Sequence, residues 1–491
     1  MDRKKSTEKE KTADGKIVWD FLSLALVVFF PMAFLYFRNL TLVNPKDVAV
    51  TFLIFFLCGF IVLVAARLFT KRISKVAFLL NVSMLAIMLF EPIETRMARF
   101  FPFIYYWHLI YIFASLIVLL GVFVFMRVDH QSVNNINKGI AVIFGILILT
   151  NFIIAIPQII VELQKKDVNH NQVDISQNAI NNGENVYLFI FDEYGGQDGL
   201  LRYAGYDNSS FYDELQNLGF NVSPHSRNYT IGTNIEIPNL LNLSLSLTSQ
   251  NYTLSARNEI LKSPALFRLF KQNGYSINVI DDQSFISPDP ENIDRIVTVQ
   301  SNLSKVESFL LVTLKNTVFY PFFTAKENDR PKEIEMLFDE IEKSADLQDT
   351  NLLTVGYFMF PHKPWVFDEY GNEISISERE NWRNPEIYLG QLRFVSSQIL
   401  EIAGEIIKKD PNCIIIIQSD HGYRLPMHLE SFLNETIEDR ALESNFQRNI
   451  LNVVYYKGEE LDIEDLSGLN TLIKVINTHF SIEIPFVESA N

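Results

Sequence analysis

Two cysteines in 491 residues leave almost no scope for covalent cross-links. Cys58 lies in a long apolar run and Cys413 in a short one. The part of the chain without long apolar runs therefore has one thiol and no disulfide framework of its own. Basic charge is scarce there too. Residues 167–491 hold 24 Lys and Arg against 48 Asp and Glu, a net charge of −24, whereas residues 1–166 hold 18 against 10, a net +8. Nucleic-acid binding depends on neutralising phosphates, so this acidity argues against a nucleic-acid partner. Long apolar stretches are missing beyond residue 161, and they crowd the sequence before it.

Five such runs occur: Phe21–Phe37, Val48–Ala66, Val76–Phe90, Phe101–Met126 and Gly139–Val161. About 20 apolar helical residues cross a hydrocarbon core of ~30 Å. The sequence thus predicts an amino-terminal region of five transmembrane helices over residues 1–166, the third short and interrupted by Asn81 and Ser83. The first run carries Pro31 and has no clear small-residue cleavage site, so it reads as an anchor rather than a removable leader. Lys and Arg near the span ends set orientation. Twelve fall on the side of the amino terminus, among them Arg3, Lys4, Lys5, Arg67, Arg72 and Lys75, against six on the other: Arg38, Lys46, Arg96, Arg99, Lys165 and Lys166. The amino terminus is expected inside. An odd number of spans then makes this a multi-pass protein of the cytoplasmic membrane with an extracytoplasmic carboxy-terminal domain. His108, in the fourth run, reads as an interfacial or packing histidine, or as the mark of a lipid or proton path.

Residues 167–184, rich in Asn, read as a linker. Beyond them strand-like runs alternate with helical patterns. Strands are expected at Asn185–Phe191, Ser276–Ile280, Leu352–Phe360, Cys413–Gln418 and Leu451–Tyr456, and helices at Ser210–Leu218, Pro264–Gln272, Pro331–Ala345 and Glu386–Lys408. Runs this continuously apolar suit strands covered on both faces. The expected fold over 185–491 is therefore α/β with a mostly parallel central sheet. Ligands of such sheets collect beyond the carboxyl ends of the strands.

Three of those ends carry chemistry. Asp192-Glu193 follow the first strand and offer paired carboxylates to a cation, or else form a solvated turn. Ser419-Asp420-His421-Gly422 follow Cys413–Gln418. A carboxylate and an imidazole side by side suit zinc or manganese better than calcium, with magnesium also admissible, and Gly422 permits close approach of backbone to a ligand. His362, in Phe360-Pro361-His362-Lys363-Pro364-Trp365, is a candidate acid or base with Trp365 as a wall. A fourth cluster, Asn228–Thr233, precedes a helix-like stretch at Asn239–Leu247. Its hydroxyls, Thr230 and Thr233, are either helix caps or nucleophiles toward phosphorus. Arg424, just after the Asp-His pair, can grip a phosphate bidentately or lie idle on the surface.

These residues in this order resemble the alkaline phosphatase/sulfatase superfamily, above all its membrane branch of lipoteichoic acid synthases and phosphoethanolamine transferases. Ser419–Gly422 match its Ser-Asp-His-Gly run letter for letter. His362 to Gly371 are similar to a segment of bacterial sulfatase-like hydrolase/transferase proteins. The resemblance implies one divalent metal ion held by Asp192 or Glu193 with Asp420 and His421. It implies Thr233 as the nucleophile within that ion's reach, and five spans ahead of an exported catalytic domain. It further implies transfer of a phosphoglycerol or phosphoethanolamine headgroup from a phospholipid donor to an envelope glycan or glycolipid, through a phospho-threonine. Two departures matter. No Cys or Ser sits in the Cys/Ser-x-Pro-x-Arg setting that sulfatases convert to formylglycine, which turns the expectation from sulfate to phosphate esters. Many phosphoethanolamine transferases carry disulfides that this domain cannot form, which favours phosphoglycerol or another headgroup. A hydrolase that uses water as acceptor, and a non-catalytic lipid-sensing scaffold, remain alternative readings.

Overall fold

The computed structural model describes residues 2–40, 43–100, 106–164, 183–282, 285–299, 305–319, 330–346, 351–379, 384–424 and 444–488. Most of the expected linker, 167–182, and the first five residues of the expected fourth span lie outside them. The chain divides into two compact units, one of residues 1–166 with 302–328, the other of residues 167–301 with 329–491.

The first unit contains α1 (Asp2–Arg38), α2 (Pro45–Phe69), α3 (Ile73–Met88), α4 (Phe90–Phe100), α5 (Tyr106–Arg127) and α6 (His130–Gln164). Among the described residues, four stretches, Val18–Arg38, Pro45–Phe69, Trp107–Arg127 and His130–Pro157, are long and apolar enough to cross a membrane. The third expected span is real as a helix but short. Its 16 residues reach about 24 Å at ~1.5 Å per residue.

Hydrogen bonds tie the start of α3 to α1, α5 and α6. Asp20 Oδ2 on α1 accepts from Ser74 Oγ at the start of α3 (2.8 Å), and Asp20 Oδ1 accepts from Asn137 Nδ2 near the start of α6 (2.7 Å). Lys75 Nζ donates to the carbonyls of Val124 and Val128 at the end of α5 (2.9 and 2.6 Å). Thus α1, α3 and α6 run one way from a common end, and α5 returns to it. Lys75, read from sequence as a loop charge, is a buried cap on α5. Asn81, the expected interruption, is fully buried and donates to Ser23 Oγ on α1 at 2.8 Å. Polar residues inside a span are kept where they bond across helices.

The expected boundary between membrane and catalytic regions is crossed once. Helix α12 (Lys305–Lys315) lies between strands of the catalytic domain in sequence yet belongs to the first unit. Phe309 is buried among side chains of α1, α2 and α3, with Leu310 and Leu314 packed beside it. Val318 N donates to Ile87 O at the far end of α3 (3.0 Å). An apolar helix face finds its burial wherever it is available, and here the bundle supplies it.

The second unit is built on strands β1 (Val186–Phe191), β2 (Asn221–Val222), β3 (Ser276–Asp282), β4 (Arg295–Val299), β5 (Leu352–Phe358), β6 (Ile414–Ser419) and β7 (Asn452–Tyr456). They form one sheet in the order β2-β7-β6-β1-β5-β3-β4, parallel except for β7. On β1, Tyr187, Phe189 and Phe191 enter one core while Val186, Leu188 and Ile190 enter the other. That two-sided burial is why the run is continuously apolar. The edge strand β4 was missed in the sequence because Arg295 and Thr298 break its apolar character, as suits an edge. The ladder at β5 ends two residues before the expected Phe360, because Met359 N–H is taken by Asp282 Oδ2 (2.9 Å).

Helices cover both faces. On one side α13 (Arg330–Ala345) and α14 (Pro385–Lys409) pack on the sheet. Asn384 caps α14 by accepting from Glu386 N, with Pro385 at its first position. Val395, Ile399, Ile402 and Ile406 recur at helical spacing and are buried. Each such side chain contributes about 1.5–3 kcal/mol. On the other side lie α9 (Thr233–Leu241), α11 (Ala265–Gln272) and α15 (Gly468–Phe480), with α7 (Gln197–Ala204), α8 (Ser209–Asn217) and α10 (Leu254–Lys262) in the connections. The helix expected at Asn239–Leu247 instead begins at Thr233 and stops at Leu241, where Leu243 turns into the left-handed region (φ 55°).

Candidate metal centre

Strands β6, β1 and β5 are neighbours and parallel, so their carboxyl ends lie side by side. Phe191 pairs with Ser419 on one flank and Phe358 on the other. The residues that follow are Asp192-Glu193, Asp420-His421 and the loop bearing His362. Three separate sequence clusters thus meet at one edge.

Asp192, Asp420 and His421 are all buried, and one ligand atom from each lies within 4.8 Å of the others. His421 Nε2 is 3.3 Å from Asp192 Oδ1 and 3.5 Å from Asp420 Oδ2. The surroundings aim these atoms inward. Tyr357 OH donates to Asp192 Oδ2 (2.9 Å), and the backbone N–H groups of Glu193 and His421 donate to Asp420 Oδ1 (3.2 and 2.8 Å). His421 Nδ1 lies 2.9 Å from Gly422 O, so Nδ1 carries the proton and Nε2 presents its lone pair. Among the described residues, Asp192 Oδ1 and Asp420 Oδ2 are buried without a hydrogen-bond partner. Buried carboxylate oxygens are rarely left so. Two donors bound at ~2.0–2.1 Å to a tetrahedral ion lie about 3.3 Å apart, so these side chains fit a divalent metal of the zinc type.

Electrostatics point the same way. Burial and the neighbouring Asp192 push the Asp420 carboxyl up to about 6. Burial also acts to raise Asp192, but His421 beside it, then His362 and the Tyr357 hydroxyl, hold it below the usual carboxylate range. Burial alone would lower His421, yet the two carboxylates outweigh it and raise the imidazole to about 9. Two buried carboxylates against one imidazole leave a charge deficit that a cation removes.

Thr233 is the first residue of α9, and its side chain acts on the Asp420 carboxyl, opposing the rise that burial causes there. It is not a cap, since Gly232 occupies that position. Thr230, its rival in sequence, spends its hydroxyl on Gly232 N (3.3 Å). Glu193 stands apart from the ligand group: Oε1 accepts from Arg424 N (2.9 Å), and Oε2 is 3.6 Å from His362 Nε2. Arg424 is exposed, and its guanidinium donates to the Ile231 carbonyl two residues before Thr233. The close approach at Gly422 is to the chain rather than to a ligand, because a Cβ there would lie 2.2 Å from Asn449 O. Trp365 is buried with its indole N–H on Pro361 O (3.1 Å), so it braces the His362 loop and does not face a substrate. His108 is the third residue of α5 and exposed, a place at the end of a span.

Two contributors escaped the sequence reading. Tyr357 has the pattern of a core strand residue, and nothing local marks its hydroxyl as a partner of Asp192. Glu236 is buried one helical turn beyond Thr233 and accepts from Thr230 N, and burial pushes its carboxyl up to about 7. A carboxylate three residues after a candidate nucleophile was the available signal.

A model of the sulfatase family matches residues 185–452, more than half of the chain. No curated protein sequence matches it. Among solved structures, the integral membrane protein lipooligosaccharide phosphoethanolamine transferase A from Neisseria meningitidis is similar over 94% of this chain and 95% of that one, at 13% identity and a TM-score of 0.41. The C-terminal periplasmic domain of a phosphoethanolamine transferase from Campylobacter jejuni covers 63% of this chain and 92% of its own, at 11% identity and a TM-score of 0.41. A lipoteichoic acid synthase from Listeria monocytogenes covers 65% and 78%, at 12% identity and 0.39.

Proposed function

The chain belongs to the sulfatase family, and from that premise we propose that it is a membrane-anchored, metal-dependent transferase acting on phosphate esters. It moves a phospho-headgroup, of the phosphoglycerol or phosphoethanolamine type, from a phospholipid donor to an envelope glycan or glycolipid. One observation carries the reading: the Thr233 side chain acts on the carboxyl of Asp420, whose Oδ2 stands 3.5 Å from His421 Nε2 and has no hydrogen-bond partner among the described residues. A hydroxyl beside a cation-ready cluster suits attack on phosphorus. The chain also has no Cys or Ser in a formylglycine setting.

In this reading Asp192, Asp420 and His421 hold one divalent ion, zinc or manganese in type. When bound, that ion lowers the pKa of the nearby hydroxyl and neutralises charge on the phosphoryl oxygens. Thr233 Oγ1 gives its proton to water and attacks phosphorus, and the bond from phosphorus to the diacylglycerol oxygen breaks. His362 Nε2 supplies the proton that this leaving oxygen takes up. The helix start at Thr233 adds partial positive charge from backbone N–H groups. The guanidinium of Arg424 holds a phosphoryl oxygen. An acceptor hydroxyl then attacks the phospho-threonine and gives its proton to His362 Nε2, which had lost one; the bond from phosphorus to Thr233 Oγ1 breaks, and Thr233 takes back a proton from water.

Exposure of the metal-loaded protein to a phospholipid is expected to yield an adduct on Thr233, whose mass by peptide mass spectrometry names the headgroup. Release of the free headgroup phosphate with no acceptor product would instead mark a hydrolase. Export rests on an odd number of crossings, with α3 counted as a span, combined with the excess of Lys and Arg on the amino-terminal side. A reporter fused after Asn491 should be active only outside the cytoplasm. A cytoplasmic signal would reverse the topology.

A further inference from the structure

Helix α14 carries two buried polar side chains that the reaction does not use. Tyr388 and Gln391 lie three positions apart and so share a face. Tyr388 OH donates to Glu193 O (2.8 Å) and accepts from Gly195 N (3.1 Å). The residue it grips, Glu193, has φ of 63°, a left-handed region that a non-glycine residue holds only where its surroundings impose it. The Tyr388 ring also stacks on Tyr423, between Gly422 and Arg424, at 3.9 Å and 11°. Gln391 is fully buried. Its Oε1 accepts from Val366 N and Phe367 N (2.7 and 3.4 Å), and its Nε2 donates to the carbonyls of Pro361 and His362 (3.3 and 3.4 Å).

One helical turn therefore holds three loops: that of Glu193 through the Tyr388 hydroxyl, that of His362 through the Gln391 amide, and that of Arg424 through the Tyr388 ring. The groups so placed are the ones outside the metal cluster, where Glu193 Oε2 stands 3.6 Å from His362 Nε2 and Oε1 receives Arg424 N. Asp192 has anchors of its own in Phe358 O and Tyr357 OH, and its carbonyl accepts from His362 N (3.1 Å). We propose that Tyr388 and Gln391 are positioning residues that set the Glu193–His362 pair against the substrate's leaving group, separately from metal binding. A core tyrosine and glutamine kept only for stability would satisfy their own polar atoms. These two instead spend all of theirs on the backbone of site loops.

The inference rests on the phosphate-ester reading, so one arm of its test is independent of turnover. Hydrogen exchange on the metal-loaded protein should speed up at residues 193–195 in Tyr388→Phe and at 361–367 in Gln391→Met, with bound zinc by elemental analysis unchanged. Unchanged exchange would overturn the positioning role whatever the enzyme does. In the second arm bis(4-nitrophenyl) phosphate is the probe. Tyr388→Phe should lower kcat by about tenfold or more in the wild type but less than about twofold in a Glu193→Gln background, and Gln391→Met should behave likewise against His362→Ala. Additive losses mean general structural roles and sink the proposal. A wild-type protein that turns over no phosphodiester defeats the functional reading and leaves the exchange arm to decide this one.

Discussion

Thr233→Ala is expected to lower turnover by about 10⁴-fold or more, the scale seen when a covalent nucleophile is removed, and to leave bound metal near its wild-type content. The three buried ligand atoms come from Asp192, Asp420 and His421, so removal of the threonine hydroxyl leaves that group whole. The phospho-adduct should vanish in the same variant. Thr230→Ala should cost little chemistry, because the Thr230 hydroxyl serves a local turn to Gly232 N. Metal content and adduct mass, measured on both variants, check this together. A Thr233→Ala protein that still forms the adduct, or a Thr230→Ala protein that does not, would move the nucleophile.

His421→Ala should empty the metal site and abolish turnover, and the wild-type site should gain affinity as pH rises. The sign follows from which form binds. A metal takes the neutral imidazole, and in the metal-free protein His421 is raised to about 9. At pH 7 the ion must therefore expel a proton. One displaced proton means about tenfold in apparent affinity per pH unit well below that pKa, flattening as it is reached, hence about 50-fold between pH 7 and pH 9. Below about pH 6 Asp420 also gains a proton, and the dependence steepens. Zinc competition against a chromophoric chelator across this range measures the slope. A flat profile, or normal zinc content in His421→Ala, would remove His421 from the ligand set.

Much of the fold was legible because its signals are local. Five of the seven strands stand within two residues of their expected bounds, since burial on both faces demands an unbroken apolar run, as in Val186–Phe191. The two missed strands are a polar edge, Arg295–Val299, and a two-residue pair, Asn221–Val222, neither of which needs that composition. The four predicted helices also stand close to their expected bounds, whereas the start of α9 was masked by Pro238 inside it. Residues 302–328 were unreadable as part of the membrane unit, because an amphipathic helix declares that it has an apolar face and not where that face will be covered.

What the sequence determined by itself is which chemistry the chain can carry: several membrane-length apolar helices, an acidic α/β domain, and carboxylates and imidazoles at strand ends. Those are properties of composition and short-range pattern. Tertiary structure alone decided which atoms face one another. Glu193 and Asp420 stand 227 positions apart and still share a hydrogen bond. The adjacent Asp192 and Glu193, equivalent in sequence, are sent to different partners by a left-handed turn at Glu193 that Tyr388 closes from another helix. The physical reason is that a side chain's direction at a turn depends on backbone angles imposed by distant packing, which no local pattern encodes.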